Sequence, residues 1–140
     1  MRKKFYLSKQ FMRDMSIVGF KYYDGFPFAL IRNVKGQEKI YRPVFKVAKH
    51  KYGKTMRYAY FCFSCNGKLY QIPVADVSYL LANDIEAIPV GYEVDHIDNN
   101  PMNNRSCNLQ LLTHEENIKK RGKGSNQYTY LKKETEYVIV

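Results

Sequence analysis

The chain has 140 residues, enough for one domain that buries roughly two thirds of its unfolded surface, and 45% of them are hydrophobic and 15% aromatic. That composition excludes wholesale disorder, and the length excludes a large multidomain enzyme. The net charge of +10 is unevenly spread: residues 1–90 hold 16 basic against 6 acidic side chains, and residues 91–140 hold 7 of each.

In chain order, Phe5, Leu7, Phe11, Met12, Met15 and Val18 recur at spacings that suit a short amphipathic helix, broken by Gly19 and by Asp24-Gly25. Aromatic and β-branched content then rises, and strands are expected near 26–33, 39–48 and 56–64. Residues 51–54 read as a turn. Asn66-Gly67 predicts a tight hairpin turn, closed by a strand over 68–74 with Pro73 at its edge or end. Asp76 is expected to cap a short helix over 77–81 that ends near Asn83. Ile88 to Gly91 reads as a turn, and a last strand is expected at 137–140. No apolar run approaches the length of a membrane span. Met1 leads into Arg2, Lys3 and Lys4 without the features of a secretion signal, so a cytoplasmic, non-secreted chain without membrane partners is expected.

The charge has a consequence of its own. Between Lys35 and Arg57 eight basic residues stand against the single acid Glu38, a density that favours a polyanion such as nucleic acid. Lys46, Lys49, Lys51, Lys54 and Arg57 are the DNA-contact candidates, with Tyr22, Tyr23, Tyr41, Tyr52, Tyr58 and Tyr60 interleaved as packing residues or stacking platforms. Solvated lysines on an ordinary surface are the plainer alternative. A second group, Lys119, Lys120, Arg121 and Lys123, would clamp a phosphate backbone or simply oppose the negative end of a helix.

The densest chemistry lies at 94–117. A strand ending at Asp95 and His96 leads into an asparagine-rich loop, then a strand at 109–112 and a helix whose start is marked by Thr113 and Glu116 as a capping box. A histidine near its ordinary pKa can take a proton from water, and the Asp95 carboxylate and Asn117 amide oxygen are hard donors for a magnesium-like ion. Together they suit phosphodiester hydrolysis. Each has a plainer role: a turn cap for Asp95, a buried hydrogen-bonded ring for His96, a helix-surface amide for Asn117. Asp98, Asn99, Asn100, Asn103 and Asn104 read as loop-shaping, and His114 as a surface or phosphate-contacting residue. Cys62 and Cys65 have the spacing of half a zinc site, with Cys107 and His50 or His114 as remote further donors, but a hairpin is the favoured reading there.

The lead-in from Ile88 to His96, the loop at Asp98 to Asn100, the paired Asn103 and Asn104, Asn108-Leu109, and the helix start from Thr113 to Asn117 together resemble the HNH endonucleases, also called ββα-metal or His-Me finger nucleases, especially those of phages and mobile introns. The resemblance implies an α+β fold with a ββα-metal finger at 90–122, preceded by a mostly antiparallel β region over 1–89 that contacts DNA and followed by a tail at 123–140. It implies a DNA endonuclease in which His96 is the general base, Asp95 and Asn117 hold Mg²⁺ or Mn²⁺, and Asn108 braces the loop and positions the histidine. Where other members have a third histidine this chain has Asn117, which favours an oxygen-coordinated ion over zinc. The partner would be double-stranded DNA, nicked on one strand per site, with a homodimer or two events needed for a double-strand break. The rival is a non-catalytic DNA-binding module that keeps the finger as scaffold.

Overall fold

The computed structural model describes residues 6–17, 19–26, 28–49 and 55–121, with Lys49, Thr55 and Arg121 placed by their backbone alone. The expected features at His50, 51–54 and 122–140, including Lys51, Tyr52, Lys54, Lys123 and the strand at 137–140, lie outside the described residues. The architecture is α+β with antiparallel sheets.

Helix α1 (Lys9–Asp14) begins at Ser8, whose hydroxyl accepts the Phe11 amide at 3.0 Å, an N-cap that satisfies one exposed donor. Only six residues are helical here, fewer than the spacing suggested. Leu7 and Ser8 instead run beside 86–88, where the Ile88 amide donates to the Leu7 carbonyl at 2.8 Å and the Lys9 amide to the Glu86 carbonyl at 2.7 Å.

The first sheet orders β1 (Lys21–Tyr23), β2 (Ala29–Val34) and β3 (Gln37–Tyr41). The second orders β4 (Val44–Lys49), β5 (Thr55–Cys65) and β6 (Lys68–Pro73). The strand expected at 39–48 is two strands in different sheets, because Pro43 has no amide to donate and the chain leaves the first ladder at Tyr41. Asn66 and Gly67 both adopt positive φ, 52° and 76°, which closes the β5–β6 hairpin as the dipeptide predicted.

Helix α2 (Val74–Ala82) starts directly after Pro73, which holds the N-cap position expected of Asp76, so Asp76 lies inside the first turn, where its charge faces the positive end of the helix. Val74, Val77, Ser78 and Leu80 are fully buried. The core joins Leu7, Met12, Phe28, Leu30, Phe61, Phe63, Ile72, Val74, Val77 and Leu80, and Val94 and Leu111 pack on its edge. Those two belong to β7 (Tyr92–His96) and β8 (Leu109–Thr113), an antiparallel pair followed by α3 (His114–Arg121). No helix among the described residues is long and apolar enough to cross a membrane.

Candidate active site

The β7–β8–α3 unit is built by local rules. Gly91 at φ 89° and the Tyr92 amide donating to the Pro89 carbonyl make the turn into β7. At the other end the Thr113 amide donates to Glu116 Oε1 at 2.9 Å and the Glu116 amide to Thr113 Oγ1 at 3.1 Å, the reciprocal capping box. That box fixes the phase of α3, and Asn117 and Lys120, three residues apart, share the face turned to β7. Glu93 and Asp95, two apart on β7, meet them.

Glu93 is buried and accepts from Asn117 Nδ2 at 2.8 Å and from His114 Nδ1 at 3.1 Å. A carboxylate can only accept, so it holds the Asn117 amide with its nitrogen toward β7 and its oxygen away. Asn117 is itself buried, not a helix-surface amide, and its Oδ1 has no hydrogen-bond partner. A buried acceptor left in that state costs free energy unless something else meets it. Asp95 Oδ2 receives Gln110 Nε2 at 3.0 Å and Lys120 Nζ at 2.5 Å, and the same ammonium reaches the His96 carbonyl at 2.7 Å.

His96 Nε2 lies 2.7 Å from Asn104 Oδ1. With an acceptor at that nitrogen, Nε2 carries the proton and Nδ1 holds the lone pair. Burial holds the imidazole below its ordinary pKa, outweighing the Asn104 bond and the Asp95 and Asp98 carboxylates, while Lys120 acts in the same direction as burial. The ring is therefore a neutral base at neutral pH.

Asn108 sits one strand over and does not touch the ring. Its Oδ1 accepts the Asp98 amide at 3.1 Å, and its Nδ2 donates to Asp98 Oδ1 and the Asn103 carbonyl, both at 2.9 Å. It thus ties the two ends of the loop, while the hydrogen bond to the His96 ring is made by Asn104. Asp98 is held below the usual carboxylate range: burial raises it, but bonds from Asn103, the Asn100 amide and Asn108 outweigh that effect.

Asn104 is fixed in turn from far along the chain. Its carbonyl accepts from Tyr22 of β1 at 2.8 Å and from Ser78 of α2 at 3.0 Å. Nearby, Asp24 receives both the amide and the hydroxyl of Ser106, at 2.8 and 2.7 Å. Sequence reasoning missed Glu93 and Asn104 as site residues. The two-residue spacing of Glu93 and Asp95 on a strand was the available sign for the first; for the second, nothing local marks which of five loop asparagines turns inward.

With this geometry in place, the comparisons with known proteins become informative. Residues 86–119 match the HNH endonuclease family model. No curated protein and no solved structure matches the chain. The match covers β7, the loop, β8 and most of α3, so it spans Glu93, Asp95, His96, Asn104, Asn108 and Asn117 and stops one residue before Lys120.

The basic candidates are placed less cohesively. Lys46 bonds Gln71 and lies 5.7 Å from the Tyr60 ring centre, whereas Arg57 lies 5.2 Å from the Phe45 ring centre. Lys46 pairs across the ladder with Tyr58, and Arg57 with Val47, so the two project from opposite faces of the second sheet. They do not form one patch. Lys49 ends β4, and Lys119 and Arg121 flank Lys120 in the sequence of α3. Tyr60 is buried in the fold, while Tyr23 and Tyr41 are exposed.

Among the described residues no group of three or more His, Cys, Asp or Glu side chains is arranged to hold a metal ion. Cys62, Cys65 and Cys107 are free, and since Cys62 and Cys65 stand three apart on the continuous strand β5 they point to opposite faces, unlike a pair closing on zinc. Of the expected donors, Asp95 Oδ2 already receives Lys120 and Gln110, and Asn117 Oδ1 is buried without a hydrogen-bond partner on the side away from β7. One carboxylate and one amide oxygen fit a hard ion that keeps most of its own water, and they do not fit zinc.

Proposed function

We propose that the protein is a metal-dependent DNA endonuclease whose ββα-metal finger, residues 90–122, hydrolyses phosphodiester bonds. The observation that carries this reading is the placement of His96, held at Nε2 2.7 Å from Asn104 Oδ1 and next in the chain to Asp95, within a segment matching the HNH endonuclease model.

In this reading His96 Nδ1 takes a proton from the water that attacks the phosphorus, and Asn104 keeps the ring in the tautomer that can do so. Asp95 and Asn117 hold Mg²⁺ or Mn²⁺, which supplies charge stabilisation at the phosphate and the departing oxygen. Glu93 turns the Asn117 oxygen outward from β7, and Asn108 keeps the loop closed by joining Asp98 to Asn103. Attack in line with the 3′ oxygen leaves a 5′-phosphate and a 3′-hydroxyl. One site cuts one strand, so a monomer nicks. Residues 1–89 contribute the positive charge that holds the duplex, and Lys119 and Arg121 lie next to the scissile position.

The test is incubation of the purified protein with supercoiled plasmid, with Mg²⁺ or Mn²⁺ and with chelator, beside His96→Ala. Nicking that requires the ion and is lost in the variant is the expected result. Salt-sensitive DNA binding without metal-dependent cleavage on any substrate would replace this reading with the non-catalytic module.

A further inference from the structure

Lys120 is the residue of this region whose position neither its charge nor the family match explains. It stands just beyond the matched segment, and its ammonium is not directed at solvent. It bridges Asp95 Oδ2 at 2.5 Å and the His96 carbonyl at 2.7 Å, with the lysine side chain 23% and the aspartate side chain 12% exposed. The arrangement is built from both sides. The capping box sets the phase of α3, Glu93 pins Asn117 one turn earlier on the same face, and Gln110 Nε2 steadies the same Asp95 oxygen from β8 at 3.0 Å. An ion pair so sheltered is screened far less than a surface pair.

We propose that Lys120 is the internal counter-ion of Asp95 and competes with the divalent ion for that carboxylate, so that the ammonium weakens metal binding while it stays in place. This rests on the metal-dependent reading above and adds a control to it. Lys120 and Gln110 both act on Oδ2, so an ion approaching the Asp95 carboxylate meets the ammonium at close range, and their repulsion weakens its binding unless the ammonium moves aside. Once released, the ammonium is held by its stem next to the site, where a DNA phosphate is the natural acceptor. Metal affinity is therefore lower in the free protein than in the presence of duplex, and the empty site is held charge-balanced until substrate arrives.

The experiment measures metal binding rather than cleavage, on the full chain, by calorimetric titration with Mn²⁺ and by the electron paramagnetic resonance signal of free Mn²⁺. Lys120→Met keeps most of the stem and removes the charge; Lys120→Arg keeps the charge. Lys120→Met is expected to bind Mn²⁺ about tenfold more tightly than the unmodified chain, the scale of one partly buried charge pair, and Lys120→Arg to bind within about twofold of it. Equal or weaker binding by Lys120→Met overturns the proposal and leaves the metal-dependent reading standing. Absence of Mn²⁺ binding in every form overturns both, whereas binding by Lys120→Met alone upholds both. Because loss of one partner leaves Asp95 uncompensated, circular dichroism of each variant accompanies the titration. If Lys120→Met does not fold, ¹⁵N spectra of the lysine ammonium groups in the unmodified chain decide: one slowly exchanging signal must shift or disappear as Mg²⁺ is added, and a signal unchanged at saturation overturns the proposal.

Discussion

The two parts of the molecule hold themselves together differently. Among the described residues, Leu109 alone of the 18 buried hydrophobic ones lies in β7, the loop, β8 or α3, whereas four of the five buried polar or charged ones, Glu93, Asn104, Asn108 and Asn117, lie there. The upstream sheets and α2 are stabilised by apolar area, and the finger by a network of hydrogen bonds that leaves Asn104 Nδ2 and Asn117 Oδ1 over. A unit of about thirty residues with almost no core of its own cannot offset its chain entropy unaided. It borrows stability through Val94 and Leu111, through the bonds from Tyr22 and Ser78 to Asn104, and through Asp24. The difference is a division of labour: the apolar part provides rigidity, and the polar part uses it to hold the His96 ring and the Asp95 and Asn117 side chains in fixed positions.

The sharpest way to test that division is to remove function without touching rigidity. His96→Ala is expected to lower the nicking rate by at least about 10²-fold, the usual contribution of a general base, with the melting temperature little changed; a comparable loss of stability would mean that the ring's packing matters more than its chemistry. The converse is Leu80→Ala in α2, at a fully buried position in the core. It should cost about 2–5 kcal/mol, seen as a lower denaturant midpoint, and unfold the finger together with the sheets in one transition. Two separate transitions would show that the finger stands alone.

Glu93→Gln keeps the shape but permits the Asn117 amide to turn over, since a glutamine can donate as well as accept. Mn²⁺ affinity should fall roughly tenfold, the lower end of effects seen on removing a group that orients a metal ligand, with far-ultraviolet dichroism unchanged. The smallest expected structural effect is Thr113→Ala, which opens the capping box at a cost of about 1 kcal/mol, measurable by urea denaturation.

The pH dependence sharpens the comparison further. Burial lowers the pKa of His96 below 6.5, and in the proposed mechanism the neutral ring is the active form. Protonation on falling pH removes the base, so the acid limb of the cleavage profile is expected below pH 6.5, with activity level above it until another group titrates. The same shift makes folding less favourable in acid: the unfolded ring takes up a proton near 6.5 while the folded ring resists it until lower pH. A cleavage profile whose acid limb centres above 6.5 would contradict the buried, neutral state of the ring.

Much of the finger was legible because its cues are local. The strand into Asp95 and His96, the Thr113–Glu116 box and the Asn66–Gly67 hairpin each depend on residues within a few positions of one another, and the structure has all three. The upstream sheets were read less well. Strand β1 went unseen because three residues with one half-buried side chain carry no periodicity, and the break at Pro43 separates two strands that composition alone runs together.

By itself, then, the sequence determined where the chemistry is concentrated, which residue types are present for it, and how the local elements begin and end, because capping, turn geometry and strand alternation act over a few bonds. Only the tertiary structure decided which asparagine holds His96, that Glu93 orients Asn117, that Lys46 and Arg57 face opposite ways, and that Lys120 lies on Asp95. Those outcomes depend on how α3 docks on β7 and how β1 and α2 close over the loop, contacts between residues as many as 82 positions apart. Packing and buried hydrogen bonding select among side chains that local rules leave equivalent.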